Sequence, residues 1–340
     1  MRSPDMAKHL ILVHGRSVKP AGSLMAAMVE TALREGLRRA DAGIALSDLE
    51  AGDLKLSFIY YGDINNEIAA ADPAKRAILA ATNDPRYAFR PALPFDLIEA
   101  GYALTSALRR FNRTTYRAVL AEAEDWRLLD EAADIASLFG QLFTFGFLND
   151  RLISSALPDL SAYLTSQIVS SAIRSRLQSV LLPAMEARDD ICLLTHSMGC
   201  IVAWDVLWKL SYMSEYEPLR ARGGHVARWI TCGCPLGEPG VRRNLLGGWA
   251  RANEEFPRQI RQWRNIHAED DYIAHVERMR STFGAMMRAG FVGQISDRKI
   301  YNCWHYADAA TGALVSNPHD LYGYLMHPAM GAAIAEWAQH

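Results

Sequence analysis

Four consecutive apolar residues, Ile191-Cys192-Leu193-Leu194, stand between the charged Arg188-Asp189-Asp190 and a helical run that begins at Cys200. A run this short, with no polar position in it, reads as a strand buried on both faces, and such strands belong to parallel sheets covered by helices on either side. Similar runs recur at Leu10 to Val13, Leu54 to Tyr61, Val226 to Cys232, Gln262 to His267 and Lys299 to Trp304. Longer helical patterns separate them. This order predicts an α/β chain with a mostly parallel central sheet of about six strands flanked by helices.

With 340 residues, half of them apolar, the chain can bury a large core. Residues 64 to 150 break the strand-helix rhythm: the stretch is too long for one crossover and contains Pro73, Pro85, Pro91 and Pro94. It is expected to be a mostly helical insertion, with the core formed by 1 to 63 and 151 to 340. Residues 151 to 187 read as one or two amphipathic helices leading back into the sheet. The insertion ends in an aromatic-rich segment, Leu138 to Leu148, which either packs within it or forms a lid over an apolar pocket. That segment, interrupted by Gly140, Gln141 and Gly146, falls short of the roughly 18 to 20 apolar residues a membrane span requires. It could touch a membrane surface but not cross one.

Other classes are excluded by composition. A formal charge of −2 offers no overall basic excess for a phosphate backbone, so nucleic acid is not an expected partner. The five cysteines, 192, 200, 232, 234 and 303, lie mostly in apolar runs and are expected to be buried free thiols in a reducing, cytoplasmic setting. Cys232 and Cys234 are too close for ordinary zinc-ligand spacing, and neither a metal site nor a cofactor is expected. The polar start of the chain, Met1 to Lys8, lacks the features of a secretory leader.

Chemistry concentrates at Thr195-His196-Ser197-Met198-Gly199, which sits directly after the buried strand and directly before the helix. A serine on such a turn projects from the sheet at a helix N-terminus, where backbone N–H groups can receive a developing oxyanion. Gly199 and Ala203 let helix and strand approach. Taken alone, Ser-x-Gly is also the pattern of an N-capping serine. The stretch resembles the nucleophile elbow of the α/β-hydrolase family, G-x-S-x-G, with Thr195 in place of the first glycine.

Further features extend the resemblance over residues 9 to 63 and 160 to 340. Leu12-Val13-His14-Gly15-Arg16 is similar to the His-Gly turn that supplies the family's second oxyanion donor, which would make the donors the N–H groups of Met198 and Arg16. The side chain of Arg16 could itself be a solvated surface group. The carboxylate cluster Glu269-Asp270-Asp271 follows a strand, as the acid of the family's triad does. Asp271 is preferred for the apolar residues after it, with Asp270 as the alternative acid or as a loop cap. His319, on the loop Ser316-Asn317-Pro318-His319-Asp320, would be the general base, completing the chain order Ser, Asp, His that this family uses. His305 and His327 read more simply as structural. His196 is expected to point to the other side of the turn. Thr231 to Gly237 is similar to the Gly-x-Pro-Leu loop of lipase-like members.

The resemblance implies a serine esterase acting on a small-molecule ester with an apolar acyl or alcohol part. The same residues would serve a thioesterase, amidase or acyltransferase. The arginines at 242, 243, 251, 258, 261 and 264 motivate a second reading, a non-catalytic relative that binds an anionic ligand or surface; Glu254 and Glu255 among them favour ordinary solvated helix faces.

Overall fold

Alternation along the strands divides the core in two. In β3 (Asp190–His196), Ile191 and Leu193 face one side of the sheet while Cys192 and Leu194 face the other. In β1 (Lys8–Val13), Ile11 and Val13 join the first side, and Leu10 and Leu12 the second. Both faces of both strands are therefore apolar, as the unbroken runs predicted. The structure, a computed structural model, describes residues 6–17, 19–71, 73, 76, 158–251, 253–269, 271, 278–302, 304–307, 314–316 and 319–339.

The remaining strands of the main sheet are β2 (Leu54–Ile59), β4 (Val226–Cys232), β5 (Ile260–Ala268) and β6 (Gln294–Ile300). All six are parallel, in the order β2-β1-β3-β4-β5-β6. Helices Pro158–Thr165, Gln167–Glu186 and Met198–Tyr212 cover one face. Helices Gly22–Arg39, Gly43–Ala51, Leu321–Met326 and Pro328–Gln339 cover the other. This is an α/β architecture with an open, all-parallel sheet.

The strand order decides where a site can form. From β1 the chain leaves for the face covered by helix Gly22–Arg39 and returns at the left-hand neighbour, β2. From β3 it leaves for the opposite face through helix Met198–Tyr212 and returns at the right-hand neighbour, β4. After β1 and β3 the chain therefore departs toward opposite faces, the switch point at which open parallel sheets place ligand sites. Gly15 and Ser197 lie on the loops that follow these two strands.

The sixth strand differs from its expected position. It begins at Gln294 rather than Lys299, because β6 is an edge strand whose burial rests mainly on Ile295 and Ile300. Exposed Gln294, Arg298 and Lys299 hide it from a search for apolar runs. A separate antiparallel pair, β7 (His305–Ala307) and β8 (Leu314–Ser316), follows it. The boundary expected at residue 63 falls inside helix Gly62–Ala69. Beyond Ala71, the expected insertion, with its 138 to 148 segment, lies outside the described residues apart from 73 and 76. No helix among the described residues is long and apolar enough to cross a membrane. Cys192, Cys200, Cys232 and Cys234 are buried and free.

Candidate active site

At the end of β3 the backbone turns at Ser197 with φ 52° and ψ −124°, a conformation that costs an L residue about 1–3 kcal/mol. The surroundings impose it. The Ser197 N–H donates to the Cys232 carbonyl at 3.1 Å, and the Ser197 carbonyl accepts from Cys200 N–H at 2.9 Å. A Cβ on Gly199 would lie 2.5 Å from the His14 carbonyl oxygen, and one on Gly15 would lie 2.8 Å from Ser197 Cβ. Glycine is required at both positions for the two loops to meet. Ser197 makes no side-chain cap to its helix, so the reading as a capping serine does not hold.

Thr195, which departs from the glycine pattern, is accommodated by a specific pocket. Its Oγ1 accepts from the Trp229 indole N–H at 2.9 Å and donates to Cys200 Sγ at 3.3 Å. Trp229 stacks on Trp263 with centroids 4.6 Å apart, and Trp263 in turn donates to Thr231 Oγ1 at 3.0 Å. A threonine hydroxyl thus satisfies a buried indole that glycine would leave unpaired.

Ser197 Oγ lies 2.8 Å from His319 Nε2, and His319 Nδ1 lies 2.8 Å from Asp271 Oδ2. Asp271 is buried just past β5, and its Oδ2 also accepts from the Tyr324 hydroxyl at 2.7 Å. Such a carboxylate fixes the imidazole tautomer with Nδ1 protonated and Nε2 available to the serine hydroxyl. Asp270, the alternative acid, lies outside the described residues.

Next to this chain, His14 organises the loop after β1. Its Nε2 accepts from Tyr61 N–H at 3.0 Å, so Nδ1 carries the proton and donates to the Gly15 carbonyl at 2.6 Å. Burial drives its pKa down to about 3, and its ring stacks on Tyr61 with centroids 4.0 Å apart. With the Gly15 carbonyl held toward His14, the trans peptide aims the Arg16 N–H the opposite way. The Met198 N–H, first of its helix, has no carbonyl one turn before it to bind. Arg16 is not a purely solvated side chain: its Nε lies 3.2 Å from Asp159 Oδ1, and Ser17 N–H donates to the other oxygen. Burial alone would raise the Asp159 carboxyl. Arg16 and the N–H groups of Ser17 and Leu160 outweigh it and hold the group below its ordinary value.

His196 corrects its expected orientation. Rather than turning away, its ring lies 4.8 Å from that of His319, and its Nε2–H donates to the His319 carbonyl at 2.7 Å. Burial, and after it the proximity of His319 and Lys19, holds its pKa well below the ordinary histidine value. It therefore supports the loop that carries His319. His327 is likewise buried, with a pKa lowered to about 3 by burial, and its Nδ1 accepts from Ala329 N–H at 3.0 Å, capping the last helix. His305 falls in β7, which is not part of the main sheet, and its side chain lies outside the described residues.

Two contributors, Tyr324 and Asp159, went unread in the sequence, and a third, Gly233, was read only as part of a loop. Tyr324 sits inside an apolar stretch, Leu321 to Met326, where a tyrosine reads as core. Gly233, at φ 52°, has no room for a side chain: a Cβ there would lie 2.9 Å from His319 Cε1 and 3.2 Å from Asp271 Oδ2. Asp159 begins a helix, the usual place for an acidic residue. Only Gly233 carried a local signal, as the glycine of Cys232-Gly233-Cys234-Pro235. Among the described residues no cluster of His, Cys, Asp or Glu could hold a metal ion. Comparison of the chain with protein-family models, with curated proteins and with solved structures found no match.

Proposed function

We propose that this chain is a serine hydrolase of the α/β-hydrolase kind, cleaving carboxylic esters through an acyl-enzyme on Ser197. The observation that carries this reading is the position of the His319 ring, within 2.8 Å of both Ser197 Oγ and Asp271 Oδ2. In the reaction His319 takes the serine proton as Oγ attacks the ester carbonyl, returns it to the departing alcohol, and then activates water against the acyl-enzyme. Asp271 balances the imidazolium and keeps it oriented. The N–H groups of Met198 and Arg16 receive the oxyanion.

The substrate class is a small-molecule ester with an apolar acyl or alcohol portion, and no cofactor enters the reaction. Thioesters, amides and acyl transfer use the same groups, so the leaving group is read from a substrate series. Four buried free thiols suit a reducing compartment, the cytoplasm.

Intact-mass labelling with a fluorophosphonate, on the natural protein and on Ser197→Ala, tests the assignment. One adduct that requires Ser197 is expected, and turnover of nitrophenyl esters should fall roughly 10⁴-fold or more in the variant. A folded natural protein that takes no label, or a variant that keeps its esterase activity, overturns the reading; the first favours a non-catalytic ligand-binding relative.

A further inference from the structure

The arginines between 242 and 264 have distinct surroundings. Arg258 lies over the rings of Tyr212 and Phe291, its guanidinium carbon 4.8 and 4.6 Å from their centroids. Arg264 pairs with Glu336 at 2.6 Å. Arg242, Arg243 and Arg251 are exposed, and among the described residues their side chains make no hydrogen bond or ion pair. These three flank one turn, which follows helix Pro239–Asn244.

The turn is a built object. Leu245 is buried beneath it, and Leu246 N–H donates to Asp205 Oδ1 at 2.9 Å, a buried carboxylate that also receives the Tyr163 hydroxyl at 2.7 Å. Gly248 N–H binds the Leu245 carbonyl at 2.9 Å, and Ala250 N–H binds that of Gly247 at 2.8 Å. A Cβ on Gly247, at φ 80°, would lie 2.0 Å from Trp208 Nε1, and one on Gly248 would lie 2.4 Å from the Arg242 carbonyl oxygen. At the tip of this braced turn Trp249 is 82% exposed. The bracing holds the indole in water instead of letting it fold back, which marks the tip as a contact surface.

The chemistry around the indole selects the partner. Its exposed neighbours in the chain, Arg242, Arg243, Asn244 and Arg251, are all polar, and residues 239 to 253 contain no acidic side chain. Glu254 and Glu255 come next, and Glu254 acts on Tyr212, where Arg258 answers it. A protein interface centres its aromatic anchor among other apolar groups. A single exposed indole on a turn flanked in the chain by unpaired guanidinium groups suits the headgroup layer of a bilayer. We propose that the turn 245–251 is a peripheral membrane anchor, in which Trp249 enters the headgroup layer and Arg242, Arg243 and Arg251 hold anionic lipid headgroups. This anchor stands independently of the reaction assigned to Ser197.

Co-sedimentation of the full chain with phosphatidylcholine vesicles, alone and mixed with phosphatidylglycerol, tests the anchor. Binding to the mixed vesicles that weakens with added salt is expected. Arg242→Gln with Arg243→Gln should lower it about fivefold per arginine, and Trp249→Ala roughly tenfold, both with an unchanged thermal midpoint. A natural protein that ignores the mixed vesicles overturns the proposal. So does a Trp249→Ala variant that binds them as the natural protein does, since the contact then lies elsewhere, for instance at 138 to 148.

Discussion

The Tyr324 hydroxyl donates to Asp271 Oδ2, the same oxygen that faces His319 Nδ1. Tyr324 is fully buried on the helix that starts directly after His319 and Asp320, so the segment carrying the proposed base also holds the proposed acid in place. Its oxygen in addition accepts from Ala268 N–H at 3.2 Å, at the end of β5. Tyr324→Phe removes a hydrogen bond to a buried carboxylate and strips a backbone donor of its partner. A stability loss of about 1.5–3 kcal/mol is expected from urea unfolding, with ester turnover down roughly tenfold. Unchanged turnover would show that Asp271 keeps its place without the tyrosine.

Gly233 sets how closely the loop after β4 can approach His319 and Asp271. In Gly233→Ala the added methyl meets the His319 ring and the Asp271 carboxylate while the backbone keeps a left-handed φ. The strained backbone should cost about 1–2 kcal/mol of stability. Fluorophosphonate labelling of Ser197 is expected to slow at least about 100-fold, since an error near 1 Å in such a constellation has that effect. Labelling at the natural rate would mean that the loop yields without moving His319.

His196 acts on His319 through the backbone. His196→Phe keeps an aromatic ring in the site but loses the donor to the His319 carbonyl, whereas His196→Gln restores a donor. The expectation is a fall in kcat of roughly tenfold for the phenylalanine variant, with KM little changed and most of the rate recovered by glutamine. Equal losses in both variants would assign His196 to packing.

Buried neutral histidines make the fold sensitive to acid. The pKa of His327 is about 3 in the folded protein, against about 6.5 unfolded, so the unfolded chain binds more protons between those values. Its contribution is complete above pH 6.5 and is lost as pH falls toward 3; His14 acts in the same direction. His327→Asn retains an acceptor for Ala329 N–H at the start of the last helix and removes the titration. Chemical denaturation from pH 7 to 4 should show a shallower decline, by up to about 1.4 kcal/mol per pH unit. Parallel curves for the two proteins would mean that this histidine does not govern acid stability.

Much of the framework was legible because local patterns encode local structure. The unbroken runs of β1 and β3 announced strands buried on both faces, and strand, Ser197, Gly199 and helix stood in the order a turn of this kind needs. β6 was misplaced because an edge strand has polar residues over much of its length. Thr195 looked like a departure from a glycine position because the indole it serves belongs to Trp229, on the next strand.

By itself the sequence determined the strand runs, the parallel class they imply, and the set of residues from which a site could be drawn, since each of these depends on neighbours within a few positions. Only the tertiary structure decided which of them meet. His319 reaches Ser197 and Asp271 across 122 and 48 positions of chain, and Tyr324 and His196 joined them with no local mark at all. The reason is that strand order and crossover direction, set by how the two apolar faces are covered, fix which loops meet at the ends of β1 and β3.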